Sequence, residues 1–211
     1  MTKSKTGLTL EFSNSPEVLT DPDPINEIIG PYGASIWPIP FADLDPKTRD
    51  LIQKKALSPD EVNRLERSLL LSREELLKVI EKAGRDPQIP GGGSLQTKEV
   101  NSGMTFPSLL LAEEGADYSQ FDKFHLNLAA DGTGVDEILQ MLSGDGFRLI
   151  YRLPDETIFT LTLSCTTNDS GWLLTHAGPH PHMGSMSRAS SGTKILGQVI
   201  GPAEWEMKFV P

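Results

Sequence analysis

Three of the four histidines of the chain fall in one short stretch, Thr175-His176-Ala-Gly-Pro-His180-Pro-His182. Neutral imidazole is a ligand for zinc, iron and other divalent ions, so His176, His180 and His182 form a candidate site for one divalent metal ion. Histidine is also the side chain whose unperturbed charge change lies nearest neutral pH, so the same residues are candidates for proton transfer. Glu204 or Glu206 would add a carboxylate to such a site, and His125 a further imidazole. Arg148, Tyr151 and Arg152, close together on one segment, are candidates for orienting an anionic substrate. The reading without chemistry is a Pro/Gly loop whose histidines are solvated.

Other features carry less. The pair His180-Pro-His182 resembles the His-x-His of cupins, where an acidic residue follows shortly and another histidine sits on a later strand. Here Met183-Gly-Ser-Met-Ser187 follows, no histidine lies downstream, and the stretch to Pro211 is too short for the rest of such a barrel. On this pattern the chain is not a cupin. Asp131-Gly-Thr-Gly134 has the look of a phosphate loop, but Asp131, Asp136 and Glu137 place negative charge where a phosphate needs positive potential. It reads as the cap of a helix over 135–143, with Ile138, Leu139 and Leu142 inward. Cys165 alternates with Phe159, Leu161 and Leu163 and reads as an inert core thiol. There is no Gly-x-Ser-x-Gly elbow, phosphate-binding P-loop or His-Glu-x-x-His helix.

The elements that must position these residues fall into three stretches. Residues 1–45 hold Pro22, Pro24, Pro31, Pro38 and Pro40, too many for a helix longer than two turns, yet the stretch is apolar. We expect an ordered Pro-rich arm lying against its own domain or a partner, with Tyr32, Ile36, Trp37 and Phe41 as its contact residues. Residues 46–90 form a helical segment. Asp45-Pro46 is a helix start, and Ser58-Pro-Asp-Glu61 and Ser72-Arg-Glu-Glu75 are capping boxes. Gly84 is a stop, and the breaker cluster Pro90-Gly91-Gly92-Gly93 marks a boundary.

Residues 91–211 read as an antiparallel β-rich domain with the one helix near 135–143. Lys123–Ala129 alternates, with Phe124, Leu126 and Leu128 on one side and Lys123, His125 and Asn127 on the other. Further alternation over 147–153, 159–165, 172–176, 193–200 and 204–210, joined by turn signals, predicts a curled antiparallel sheet or small barrel. The class is α+β.

Composition sets the outer limits. The chain has 211 residues, 37% hydrophobic, with 19 Lys and Arg against 29 Asp and Glu, a net charge of −10. That balance argues against nucleic-acid and anionic-membrane partners, whose phosphates require cations. The single cysteine excludes an internal disulfide framework and any multi-cysteine metal site. No signal peptide or membrane span is visible, so a soluble, cytoplasmic protein is expected. Two functions follow. The leading reading is a protein-binding or assembly module, a homo-oligomer or hetero-complex built through the apolar arm. The alternative is a small metal-dependent or acid–base enzyme of isomerase, cyclase or lyase type, with its histidine site at the mouth of the β domain.

Overall fold

The structure, a computed structural model, describes residues 7–88, 94–96, 108–112, 122–165 and 169–211. Its first strands come from the expected arm: β1 (Leu8–Phe12), β2 (Ser15–Leu19) and, after helix α1 (Pro22–Ile29), β3 (Ala34–Pro40). Three helices follow, α2 (Pro46–Gln53), α3 (Pro59–Leu69) and α4 (Arg73–Lys82). The remainder is strand: β4 (Ser94–Gln96), β5 (Ser108–Leu111), β6 (His125–Leu128), β7 (Asp136–Ser143), β8 (Asp145–Arg152), β9 (Ile158–Ser164), β10 (Ser170–Ala177), β11 (His182–Ser185), β12 (Lys194–Gly201) and β13 (Glu206–Phe209).

The strands build two antiparallel sheets that face one another. The larger runs β13-β6-β11-β8-β9-β1-β2, and the smaller β3-β10-β7-β12-β4, with β5 also paired to β12. They are not closed into a barrel. Between them lies the main core, in which Leu149, Phe159 and Leu161 of the larger sheet meet Leu174, Met141 and Ile195 of the smaller.

Helices α2, α3 and α4 cover the outer face of the smaller sheet, and their starts follow the sequence signals. Asp45 accepts from the backbone of Lys47 and Thr48, while Ser58 and Ser72 form the two reciprocal capping boxes. Leu65 and Leu69 of α3 pack on Leu142 and Leu196, and Leu76 and Ile80 of α4 pack on Ile138 and Ile200. Lys194 points to this side as well, donating to the carbonyls of Ile52 and Lys54 at the end of α2.

Two expectations are corrected. The stretch 135–143 is the central strand β7, not a helix. It is buried on both faces, by the opposite sheet and by the helices, so its apolar run lacks the alternation of a half-exposed strand and mimics helical spacing. The turn Asp131–Gly134 therefore caps no helix; Asp131 Oδ1 instead accepts from the Thr133 backbone at 2.9 Å. The arm, too, is part of the body. β1 pairs with β9 along its length and β3 with β10, so Ile36 and Phe41 lie in this chain's own core, Tyr32 packs at its margin, and Trp37 is partly buried under the Lys82 ammonium. The expected boundary at Pro90–Gly93 lies outside the described residues.

Candidate metal centre

Side-chain alternation on the two sheets sends a set of polar residues into the space between them. On β7, Glu137 points inward beside Leu139 and Met141, while Asp136 and Ile138 point to the helices. Antiparallel pairing sets His176 of β10 directly opposite Glu137. From the facing sheet, His182 of β11 pairs with both His125 of β6 and Tyr151 of β8. The result is a group of three, Glu137, His176 and His182, all buried, whose potential ligand atoms lie within 4.8 Å of one another.

Gly178 holds the sheets together at this end. Its N–H donates to the Val135 carbonyl at 2.7 Å, and its carbonyl accepts from the Asn127 N–H at 2.9 Å. A Cβ there would come within 2.8 Å of the Asn127 carbonyl oxygen, so the approach requires glycine.

The hydrogen bonds fix which atoms face the centre. His182 Nδ1 lies 2.7 Å from the His180 carbonyl, an acceptor, so Nδ1 carries the proton and donates. That leaves His182 Nε2 facing Glu137 Oε1 at 3.3 Å. His125 Nδ1 donates in the same way to the Lys123 carbonyl at 2.8 Å. His176 Nε2 stands 3.7 Å from Glu137 Oε2, and neither of its ring nitrogens makes a hydrogen bond although both are fully buried. Asn127 Nδ2 donates to Glu137 Oε1.

Electrostatics agree with this picture. Burial pushes the His176 imidazole down to about 3, against the pull of Glu137, and His125 down to about 4. Burial by itself would raise the Glu137 carboxyl, but the surrounding imidazoles outweigh it and hold the group below the usual carboxylate range. At neutral pH the centre thus presents an ionised carboxylate and unprotonated His125 and His176 rings.

Neutral His176 carries one ring proton and one lone pair, both buried and without a hydrogen bond, and the His182 Nε2 lone pair faces a carboxylate oxygen; a cation standing among them would satisfy these groups. Two imidazoles and a carboxylate are a donor set for such a cation, and the bonds from His182 to the His180 carbonyl and from Asn127 to Glu137 orient two of the groups as metal sites require. The residues fit a divalent ion.

Beside the group lies a cavity of about 60 Å³. Leu139 and Ile195 line it from one sheet, and Phe147, Leu149 and Met207 from the other. His125, Asn127, Glu137, His176 and His182 also border it.

Of the residues expected at the site, the structure brings His176 and His182 together and leaves His180 out. His180 is half-buried in the connecting loop, its carbonyl serving His182. Tyr151 is fully buried next to the group, its ring centroid 5.8 Å from that of His182, with no hydrogen bond to its hydroxyl. Arg148 and Arg152 point away from the cavity: Arg148 donates to Ser185 and Ser187 Oγ, each at 3.1 Å, and Arg152 to the carbonyl of Pro211. The carboxylate is Glu137, whereas Glu204 and Glu206 are exposed. Cys165 is partly buried, and burial drives its thiol up to about 12, an inert group as expected.

No protein-family profile and no curated protein matches the sequence. Among solved structures the chain is similar to the acireductone dioxygenase of Bacillus anthracis, determined with a cadmium ion in its active centre. The TM-score is 0.62, over 96% of this chain and 97% of that one, at 11% sequence identity. The fold is cupin-like. At this identity the likeness is one of fold, and it overturns the sequence-based exclusion of that architecture. The exclusion looked for an acid following the histidines along the chain. In this cupin-like chain the carboxylate precedes them, and β-pairing alone unites Glu137 with His176.

Proposed function

We propose that this chain is a metal-dependent enzyme whose divalent ion is held by Glu137, His176 and His182, and whose substrate is a small organic molecule bound in the adjoining cavity. The observation that carries the reading is the convergence of His182 Nε2 and His176 Nε2 on the two oxygens of one buried carboxylate, with neither ring nitrogen of His176 hydrogen-bonded. A cupin-like neighbour with a metal in its active centre supports it. Two histidines and one carboxylate are the ligand set of non-haem iron oxygenases, so oxidation by dioxygen is the first reaction class to assay, ahead of isomerase, cyclase or lyase chemistry.

A bound ion of this kind supplies Lewis acidity and, if iron, access to dioxygen chemistry. The chain's own residues do the rest. The His180 carbonyl holds the His182 ring with Nε2 inward, and Asn127 fixes one Glu137 oxygen. His125, neutral and with its Nδ1 engaged by Lys123, keeps Nε2 as a lone pair able to accept a substrate proton. The apolar walls exclude water from the reacting groups.

Metal analysis of protein purified without an affinity tag tests the reading. One equivalent of divalent metal is expected, lost in Glu137→Gln and in His176→Ala. Wild-type protein that takes up no iron, nickel, cobalt or zinc would remove it. Association with a second copy or another protein is a separate proposal, supported by the open sheet edges at β2 and β13, where Val18 and Phe209 are exposed. A solution mass of 23.1 kDa would count against it.

A further inference from the structure

The metal reading leaves open what the cavity accepts, and the distribution of charge around it narrows the answer. Among the described residues, no lysine or arginine lines the cavity. The nearby cations are committed elsewhere. Lys194 serves the end of α2, Arg85 binds Asp136 and Thr175 on the outer face of the smaller sheet, and Arg148 and Arg152 sit on the outer face of the larger one. Beyond the ligand cluster the walls are mostly hydrocarbon, from Leu139, Phe147, Leu149, Ile195 and Met207, and the indole of Trp205, which carries no charge, completes them.

Charge counting then sets a limit. A divalent ion with the Glu137 carboxylate leaves one net positive charge, which a single ionised oxygen group neutralises. A second charge on the substrate would lie against largely apolar walls with no cation among the described residues to pair it, and burying an unpaired charge is costly. We propose, resting on the metal reading above, that the site takes an apolar organic molecule with one metal-binding oxygen head and no second charged group. Sugar phosphates, nucleotides, dicarboxylic acids and zwitterionic amino acids are excluded as substrates.

The test uses the full chain loaded with nickel and two hydroxamic acids of equal length, one ending in a methyl group and the other in a carboxylate. Each is titrated into the protein by calorimetry, with the visible absorption of a cobalt-loaded sample reporting whether the head reaches the metal. The methyl-ended probe is expected to bind tighter by about tenfold or more, with a spectral change, reflecting the charge burial that only its partner incurs. Equal binding of the two, tighter binding of the carboxylate-ended probe, or binding of neither would overturn the inference while leaving metal uptake, and the proposed function, intact. Failure of the protein to take up any of iron, nickel, cobalt or zinc would remove both together.

Discussion

The centre depends on a few atoms whose neighbours are as telling as the ligands. Asn127 touches no bulk solvent, yet its amide fixes Glu137 Oε1 and reaches within 3.5 Å of His182 Nε2. Removing an orienting group of this kind weakens metal affinity by roughly 10–100-fold in comparable sites. Asn127→Ala is therefore expected to raise the nickel Kd by that factor in competition with a chelator, with its circular dichroism unchanged; an unaltered Kd would show the amide is not orienting. The buried histidines also set a pH dependence. His176 and His125 protonate near 3 and 4 in the folded chain but near 6.5 when unfolded. Between those values the unfolded state holds more protons, so stability falls as the pH drops, by about 1.4 kcal/mol per pH unit for each such group. The depressed Glu137 carboxyl adds loss in the same direction at lower pH. The melting temperature of metal-free protein should fall steadily from about pH 7 to about pH 4, and less steeply in His176→Gln. A flat wild-type profile would contradict the burial of these rings.

At the scale of elements, β7 and β10 carry two of the three ligands, and one side chain ties them from behind. Arg85, just after α4, pairs with Asp136 and donates to Thr175 Oγ1 at 2.9 Å, the residues immediately before Glu137 and His176. Asp136 is buried, and burial raises its carboxyl against the opposing pull of Arg85. Taking the cation away strands a buried carboxylate, which typically costs about 3–5 kcal/mol. Arg85→Met should lower unfolding free energy by that amount in urea, and Arg85→Met with Asp136→Leu should recover most of it. A single variant as stable as wild type would mean the pair contributes nothing. The same strands show where local reading ends. The capping boxes of α3 and α4 are legible because a cap is made by residues three apart in sequence. The helix expected over 135–143 is instead β7, since its burial on both faces comes from distant partners.

For the whole molecule, the N-terminal 45 residues are not an appendage. β1 lies between β9 and β2 in the larger sheet, with Leu8 and Leu10 fully buried, and β3 borders β10, which carries His176. Deleting residues 1–33 should abolish the cooperative thermal transition, because it exposes the edge of β9 and opens the main core. A truncated chain that still melted cooperatively would show that the body folds without these strands. Among the described residues no helix is long and apolar enough to cross a membrane.

The sequence by itself determined what short-range chemistry decides: the α+β class, the helix starts at Asp45, Ser58 and Ser72, most strands of the second half, and the histidines worth watching. It marked His176 and His182 because their residue type is informative anywhere. It could not mark Glu137, which looks like one acid among 29 acidic residues until β7 is set opposite β10. Nor could it orient β6. The alternation over 123–129 is real, but the buried side carries His125 and Asn127 and not Leu126 and Leu128, since that side faces the centre between the sheets. Local spacing fixes which residues share a face. Only the packing of one sheet on another decides which face is inside, and so which carboxylate meets which imidazole.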